Sequence, residues 1–224
     1  DVVGFINITR RKIYLNMRIL IADDHSVVRK GLRQILLEGF PNAEIEEVAD
    51  AEAMVRKIMQ SEFNVVISDL SMPGRSGLEA LQQIKQINAK LPVLILSIHP
   101  EEQYALRVLK AGASGYLSKD MAPDELVNAV QRVMLGKKYI TNSIAEKLAS
   151  VLDHDSAKPP HENLSDREFS VLKLLAAGKS VSEIAESLFL SVTTVSTYRS
   201  RIMAKMSMKN NADLTLYSIE HKLI

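Results

Sequence analysis

The sequence predicts an α/β domain built on a doubly wound, five-stranded parallel sheet, followed by an all-α domain of four helices. Three observations carry this prediction. Five short apolar runs alternate with amphipathic stretches over residues 17–137, a pattern typical of parallel strands covered by helices on both faces. Residues 163–224 show helical patterns alone. The length of 224 residues suits two domains of ordinary size.

The apolar runs of the first domain define its predicted strands, which are residues 18–22, 43–49, 64–68, 92–96 and 115–117. Apolar residues recur at three and four positions between them, which predicts helices at 26–38, 51–60, 77–88, 101–110 and 123–135. In a sheet of this kind, ligands bind beyond the carboxyl ends of the strands. The residues that follow each strand are therefore the first place to look for a site.

The second half of the chain begins with an amphipathic helix expected at 140–152. Pro159 and Pro160 indicate a linker, because proline cannot continue a helix, and we assign 138–162 to this helix and linker together. Further helices are predicted at 165–177, 180–187, 191–206 and 210–222. Polar residues suited to helix N-caps stand at the start of each, namely Ser165, Ser180, Ser191 and Asn210.

The composition is that of an ordinary globular protein, with 46% hydrophobic residues, a net charge of +1 and no cysteine. Disulfides and cysteine-based zinc sites are thereby excluded, and the apolar runs are too short to cross a bilayer. Residues 1–16 lack the features of a signal peptide. We expect them to be an N-terminal extension before a natural start at Met17, in a cytoplasmic protein without a membrane partner.

Acidic, hydroxyl and basic side chains follow the predicted strands. Asp23 and Asp24 follow the first strand, Asp69 the third, Ser97 the fourth and Lys119 the fifth. Clustered carboxylates repel one another unless a cation lies among them, and a hard ion such as Mg²⁺ suits carboxylate and carbonyl oxygens. With Mg²⁺ present, Asp69 could attack a phosphoryl donor. Taken singly, each aspartate is more often a cap or turn residue.

Three segments resemble the signature segments of two-component receivers, namely Ile21-Ala-Asp-Asp-His25, Ser68-Asp-Leu-Ser-Met-Pro-Gly74 and Gly115-Tyr-Leu-Ser-Lys119. The resemblance covers 17–137 and implies a flavodoxin-like receiver fold. It further implies phosphorylation by a sensor histidine kinase, in a regulator rather than an enzyme.

The receiver resemblance assigns each candidate residue a role. Asp69 matches the phospho-acceptor, and Ser97 and Lys119 match residues that contact the phosphoryl group. Ser97 and Tyr116 match a switch pair, in which the aromatic ring moves between exposed and buried positions. The implied Mg²⁺ ligands are Asp23, Asp24, Asp69 and the backbone carbonyl of Ser71.

The second domain carries a basic helix. No acidic residue occurs between Ser187 and Ala212, whereas the segment contains Arg199, Arg201, Lys205 and Lys209. The short side chains in the first turns of this helix could approach base edges and phosphates. Charge alone fits a solvated basic face on an ordinary helical domain at least as well.

Sequence motifs favour DNA binding. Leu164-Ser-Asp-Arg-Glu168, Glu183-Ile-Ala185 and Thr194-Val195 resemble the LuxR-type helix-turn-helix of the NarL/FixJ response regulators, a resemblance that covers 163–224. It implies that the chain binds double-stranded DNA through Thr193, Thr194, Ser196, Thr197, Arg199, Ser200, Arg201 and Lys205. The sequence departs from the family at Ser196, where lysine is common, and at Ser207, where glycine is usual; the latter suggests a slightly different junction before the last helix.

The last predicted helix contains Leu214, Leu216, Tyr217 and Ile219. In the resembling family this helix forms the dimer contact, so a homodimer of the active protein is expected. The alternative is that all four side chains close the core of their own domain.

Two other protein classes fit less well. A haloacid-dehalogenase-like phosphatase places its nucleophile in an Asp-x-Asp motif, which the region around Asp69 lacks. A flavodoxin-like binding module needs a phosphate-binding loop where Asp23 and Asp24 stand. A regulator that acts without phosphorylation remains the strongest alternative, and the sequence does not decide whether the receiver inhibits the DNA-binding domain.

Overall fold

The computed structural model describes residues 17–72, 76–121, 123–146 and 159–224. The chain divides into two compact units, residues 1–150 and 151–224. The predicted extension at 1–16 lies outside the described residues. Of the helix expected at 140–152, only 142–146 is described as helical, and the domain boundaries remain predictions.

In the described part of the first unit, five strands alternate with five helices, and residues 142–146 are also helical. The strands are β1 Arg18–Ala22, β2 Glu44–Val48, β3 Val65–Asp69, β4 Val93–Ser97 and β5 Gly115–Ser118. The helices are α1 Ser26–Gly39, α2 Ala51–Gln60, α3 Gly77–Ile87, α4 Glu101–Lys110 and α5 Pro123–Met134. All neighbouring strands are parallel, in the order β2-β1-β3-β4-β5. The predicted doubly wound sheet is confirmed.

The central strands are buried along their whole length because helices cover both faces of the sheet. Every residue of β3 and β4 is buried, which explains their nearly continuous apolar sequences. On one face, α1 and α5 contribute Leu36 and Leu126 to a core that includes Ile67 of β3. This packing fixes the ends of the strands, where the candidate site residues lie.

Gly77 allows α3 to begin close to the end of β3. A Cβ atom at this position would lie 2.2 Å from the carbonyl oxygen of Asp69, so only glycine fits without a backbone shift. The amide of Gly77 donates a hydrogen bond of 2.9 Å to the carbonyl of Leu70. The glycine therefore holds the start of α3 against the segment that carries Asp69.

Residues 159–224 of the second unit form a short 3₁₀ helix and four α-helices. The 3₁₀ helix is Pro160–Asn163, and the α-helices are α6 Asp166–Ala176, α7 Val181–Ser187, α8 Val192–Met206 and α9 Asn211–Glu220. Each predicted N-cap side chain accepts a hydrogen bond from the backbone amide three residues later, which confirms Ser165, Ser180, Ser191 and Asn210 as caps. The helices enclose the buried side chains Phe169, Leu172, Ile184, Val195, Ile202 and Leu214.

Ser207 ends α8 in the left-handed conformation, with φ 55° and ψ 39°. This conformation is favourable for glycine and costs other residues steric energy. The backbone of Ser207 thus has the conformation that glycine adopts most readily. Because serine stands where the family usually has glycine, this position is locally strained.

Within the described part of the chain, no helix has both the length and the apolar character that crossing a membrane requires.

Candidate functional site

The acidic cluster forms where β1 and β3 lie side by side. Asp69 is the last residue of β3, whereas the sequence predicted that it would follow the strand. Asp23 and Asp24 directly follow β1, as predicted. One ligand atom each from Asp23, Asp24, His25 and Asp69 lies within 4.8 Å of the others. Asp23 and Asp69 are buried, with 1% and 4% exposure. The structure therefore brings together the three predicted carboxylates and adds an imidazole.

Lys119 connects two of these carboxylates. Its Nζ lies 2.7 Å from Oδ2 of Asp69 and 2.7 Å from Oδ2 of Asp23. The backbone amide of Lys119 donates a hydrogen bond to the carbonyl of Ser97, which ties the lysine to the end of β4. Its side chain is 12% exposed, so this positive charge is held in place beside Asp69.

Burial raises the pKa of Asp69 above its ordinary value, although the hydrogen bonds from Lys119 and the Ser71 amide oppose the shift. For Lys119, burial alone would lower the pKa, but the carboxylates of Asp23 and Asp69 beside it outweigh burial and raise it. Lys119 therefore stays charged near neutral pH. Because only the carboxylate form of Asp69 can act as a nucleophile, a fixed cation beside it favours the reactive form.

The oxygen atoms of the cluster suit a hard cation. Among the described residues, Oδ2 of Asp23 and Oδ1 of Asp24 are buried without a donor in hydrogen-bond geometry. Lys119 Nζ lies 2.7 Å from the first oxygen, and His25 Nδ1 lies 2.8 Å from the second. Such carboxylate oxygens can ligate a divalent ion. Ser71, the predicted carbonyl ligand, donates its amide to Oδ1 of Asp69 at 3.1 Å.

Sequence reasoning overlooked His99, which contacts both predicted switch residues. Its amide donates to Oγ of Ser97 at 3.0 Å, and its carbonyl accepts the Tyr116 hydroxyl at 2.7 Å. The imidazole stacks on Tyr104, with ring centroids 4.7 Å apart, and Nε2 lies 3.0 Å from Oγ of Ser71. Tyr116 is fully buried, so the structure shows the inward position of the aromatic ring. Spacing alone gave no signal for this role of His99.

Ser97 lies near Asp69 because their strands are neighbours. Asp69 pairs with Leu96 in the sheet register, and Ser97 is the next residue along β4. The side chain of Ser97 is buried. The structure therefore places the predicted hydroxyl at the same edge of the sheet as the acidic cluster.

Exposed hydroxyl side chains share one face of α8. Thr193, Ser196, Thr197 and Ser200 are all exposed, and their spacing of three and four residues puts them on the same side of the helix. Thr194 is partly buried and pairs with Oγ of Ser191 at 2.7 Å. The opposite side of α8 packs into the core through Val195, Ile202 and Met206.

The basic residues of α8 differ in their contacts. Arg201 is exposed, whereas Arg199 donates from Nε to Oδ1 of Asn211 at 2.9 Å. Lys205 Nζ lies 2.7 Å from Oε2 of the buried Glu168. Lys205 thus has a structural partner within the domain, which the sequence prediction of a DNA contact did not include.

Glu168 is the centre of this structural contact. It closes a capping box with Ser165 at the start of α6 while its carboxylate binds Lys205. Burial alone would raise the pKa of Glu168, but the bonds from Lys205 and Ser165 outweigh burial and lower it. The charged pair therefore joins the start of α6 to the last turn of α8.

The last helix divides its apolar residues between core and surface. Leu214 is fully buried, whereas Leu216 is 61% exposed and Ile219 is 58% exposed. Tyr217 is partly buried, and its hydroxyl lies 2.8 Å from Nδ1 of His161 in the 3₁₀ helix. The alternative that all four residues close the domain core is therefore wrong for Leu216 and Ile219.

Two family models match the chain in the order that the folds suggest. The response regulator receiver domain matches residues 19–131, and the luxR family of bacterial regulatory proteins matches residues 162–218.

Similar proteins match along most of the chain. The response regulator UvrY of Escherichia coli strain K12 is 36% identical over 208 residues, which are 92% of this chain and 95% of UvrY. The oxygen regulatory protein NreC of Staphylococcus carnosus strain TM300 is 37% identical over 215 residues, covering 93% of this chain and 99% of NreC.

A solved structure extends the similarity to the fold. RcsB from Salmonella enterica serovar Typhimurium, bound to promoter rprA with a phosphomimetic, has a TM-score of 0.62 and 28% identity, and covers 90% of this chain and 98% of RcsB. The chain thus belongs to the NarL/FixJ family of two-component response regulators, which join a receiver domain to a LuxR-type DNA-binding domain and regulate transcription under control of phosphorylation.

Proposed function

We propose that a sensor histidine kinase phosphorylates Asp69, and that the acyl phosphate controls dimerisation and binding to double-stranded DNA. The receiver would span 17–137, the connecting helix and linker 138–162, and the DNA-binding domain 163–224. Because the target is DNA, the protein would act in the cytoplasm.

The observation that carries this proposal is the Lys119 ammonium held 2.7 Å from both Asp69 and Asp23. An oxygen of Asp69 attacks the phosphorus of phosphohistidine, the phosphorus–nitrogen bond breaks, and its electron pair leaves with the imidazole. The ammonium then lies beside the added negative charge. If Asp69 were only a cap or turn residue, it would not need a buried ammonium beside its carboxylate.

Asp23, Asp24, Asp69 and the carbonyl of Ser71 would hold Mg²⁺. When bound, this ion neutralises charge on the oxygens of the transferring phosphoryl group. Asp24 suits direct ligation because its buried Oδ1 has no aligned donor among the described residues.

Ser97 and Tyr116 would transmit the change. Ser97 currently accepts the amide of His99, while Tyr116 donates to the carbonyl of the same residue. A new oxygen acceptor on Asp69 would attract the Ser97 hydroxyl. Because His99 contacts both residues, a movement of Ser97 would shift His99 and thereby change the position of the Tyr116 ring.

The exposed hydroxyl face of α8 would read DNA. Thr193, Ser196, Thr197 and Ser200 supply short hydroxyl groups for base edges. In the structure, the hydroxyls of Thr197 and Ser200 donate to the carbonyls of Thr193 and Ser196, so these two would offer their oxygens as acceptors or exchange those bonds on binding. Arg199 and Arg201 supply charge for phosphates. Thr194 and Lys205 belong to the candidate contacts, although both also have partners within the domain. The similarity to RcsB, which was solved bound to a promoter, supports this arrangement.

The exposed Leu216 and Ile219 of α9 would pair two copies of the DNA-binding domain. Two-fold pairing of helix-turn-helix domains matches two half-sites on the DNA.

DNA binding with and without acetyl phosphate tests the proposal. A duplex selected by the protein from a randomised pool should bind more tightly once acetyl phosphate and Mg²⁺ are added. The same addition should leave the affinity of Asp69→Asn unchanged. An equal gain for both proteins would contradict control through Asp69, and no gain for either would support a regulator that acts without phosphorylation.

A further inference from the structure

Phe189 has two unfavourable features at once. It lies in the turn between α7 and α8 with φ 54°, in the left-handed region that bulky residues rarely adopt. Its side chain is also 73% exposed. An aromatic residue here therefore adds strain and contributes little to the core of its own domain.

The turn itself requires a left-handed residue at this position. The amide of Phe189 donates to the carbonyl of Glu186, and the amide of Leu190 donates to the carbonyl of Ala185. These bonds close the end of α7 in the manner of a helix terminated by a left-handed residue, a position where glycine is commonest. The backbone geometry explains the conformation but not the choice of phenylalanine.

A second exposed apolar side chain lies three residues further on. Val192 is the first residue of α8 and is 51% exposed. It directly precedes Thr193, the first member of the exposed hydroxyl face. Phe189 and Val192 are called the apolar edge below.

The charge of the segment that follows the apolar edge favours DNA as its occupant, although Glu186 precedes Phe189 by three residues. No acidic residue occurs between Ser187 and Ala212, whereas Arg199, Arg201 and Lys209 lie in this segment. A polyanion is attracted to such a surface. DNA also offers apolar groups beside its charges, because each thymine presents a methyl group in the major groove.

We propose that the apolar edge contacts thymine methyl groups at the border of the sequence read by α8, so that Phe189 and Val192 contribute to base specificity. The proposal rests on the assignment of α8 as the helix that enters the major groove. The hydroxyl face then reads hydrogen-bonding edges, while the apolar edge selects for thymine. The position of Phe189 in the turn extends the contacted sequence beyond the helix.

The test uses full-length protein phosphorylated with acetyl phosphate and a duplex that this protein selects from a randomised pool. Each thymine of one half-site is replaced in turn by deoxyuridine, which removes only the methyl group. Phe189→Gly removes the ring and also relieves the backbone strain, and Val192→Thr exchanges a methyl for a hydroxyl. Ser207→Gly is the matched control, because it places glycine at another left-handed position next to α8.

The apolar edge predicts a specific pattern of affinities. Phe189→Gly should bind the selected duplex roughly tenfold more weakly and Val192→Thr several-fold more weakly. The dependence of affinity on salt should match that of the parent, because no phosphate contact is lost. At least one deoxyuridine substitution should weaken DNA binding by the parent but not DNA binding by Phe189→Gly. Ser207→Gly should behave as the parent in every titration.

The proposal would be overturned if both variants bound the duplex as tightly as the parent and lost as much affinity as the parent at each deoxyuridine. The apolar edge would then contact a protein partner or no partner. Thr197→Asp separates this failure from failure of the underlying site, since a negative charge on the hydroxyl face should abolish binding. If Thr197→Asp binds as the parent does, α8 does not face the DNA and both assignments fall.

Discussion

The ammonium of Lys119 lies 2.7 Å from Oδ2 of Asp69, although fifty residues separate them in the sequence. The contact exists because β3 and β5 end at the same edge of the sheet, on either side of β4. It supplies a fixed positive charge to the residue proposed to carry the phosphoryl group.

Lys119→Met should slow the labelling of Asp69 by acetyl phosphate by a factor on the order of 10². The substitution removes the ammonium beside the attacking oxygen and leaves two buried carboxylates without it. Lys85→Met is a suitable control, because Lys85 is also partly buried but donates to the carbonyl of Leu91, away from the site. Equal labelling rates for Lys119→Met and the parent would remove Lys119 from the proposed chemistry.

Asp24→Ala should weaken Mg²⁺ binding by at least roughly tenfold, which is the lower end of the effect usual for losing even an indirect partner of a metal. The carboxylate is a proposed direct ligand, and its loss should also relieve repulsion in the metal-free protein. Calorimetric titration with Mg²⁺ measures the change. Asp50→Asn is the matched control, because Asp50 caps α2 and asparagine caps equally well. An unchanged Mg²⁺ affinity would show that Asp24 is not a ligand.

The ion pair of Glu168 with Lys205 predicts a pH-dependent stability of the DNA-binding domain. Since folding lowers the pKa of Glu168 below its ordinary value of 4.5, this stabilisation is present above about that pH. It is lost as the pH falls through the pKa of the folded state. Lys205→Met should therefore destabilise the domain at pH 7 by roughly 1 to 3 kcal/mol, with a smaller difference near pH 3.

Amide hydrogen exchange in α6 and α8 of the full chain measures this effect at both pH values. Lys173→Met is the control, because Lys173 also lies on α6 and burial lowers its pKa, whereas Lys205 holds its charge beside Glu168. A destabilisation by Lys205→Met that is equal at pH 3 and pH 7 would contradict the role given to the ion pair.

Leu216→Asp and Ile219→Asp should weaken binding to a duplex with two half-sites much more than binding to a single half-site. Each adds a charge to an exposed apolar position, so the fold of the domain should tolerate the change. Met59→Glu is a matched control, because Met59 is 67% exposed in the other unit. Undiminished binding to both half-sites would end the proposal that α9 pairs the domains.

The sequence predicted those features that local patterns determine. Four strands are mostly buried and gave apolar runs, whereas β2 is exposed or half-buried except at its last residue and carries three glutamates. All five strands were placed within one residue at each end. Ser165 and the other caps were found because a polar residue directly before a helical pattern has a local physical role. The position of Asp69 and Lys119 at one sheet edge followed from the parallel topology of the strands.

Contacts between distant residues could not be predicted in this way. In the sequence, Lys205 resembles the other basic residues of α8, and only the packed domain shows that Glu168 lies beside it. The bonds of His99 to Ser97 and Tyr116 depend on the loop after β4 rather than on spacing. The division of Leu214 and Leu216 between core and surface likewise required the arrangement of the helices.

The most direct test of the central claim is mass spectrometry of the intact protein after incubation with acetyl phosphate and Mg²⁺. The parent and Asp50→Asn should each gain one phosphoryl group, whereas Asp69→Asn should gain none, because an amide cannot act as the nucleophile. Labelling of Asp69→Asn to the same extent as the parent would show that Asp69 is not the phospho-acceptor.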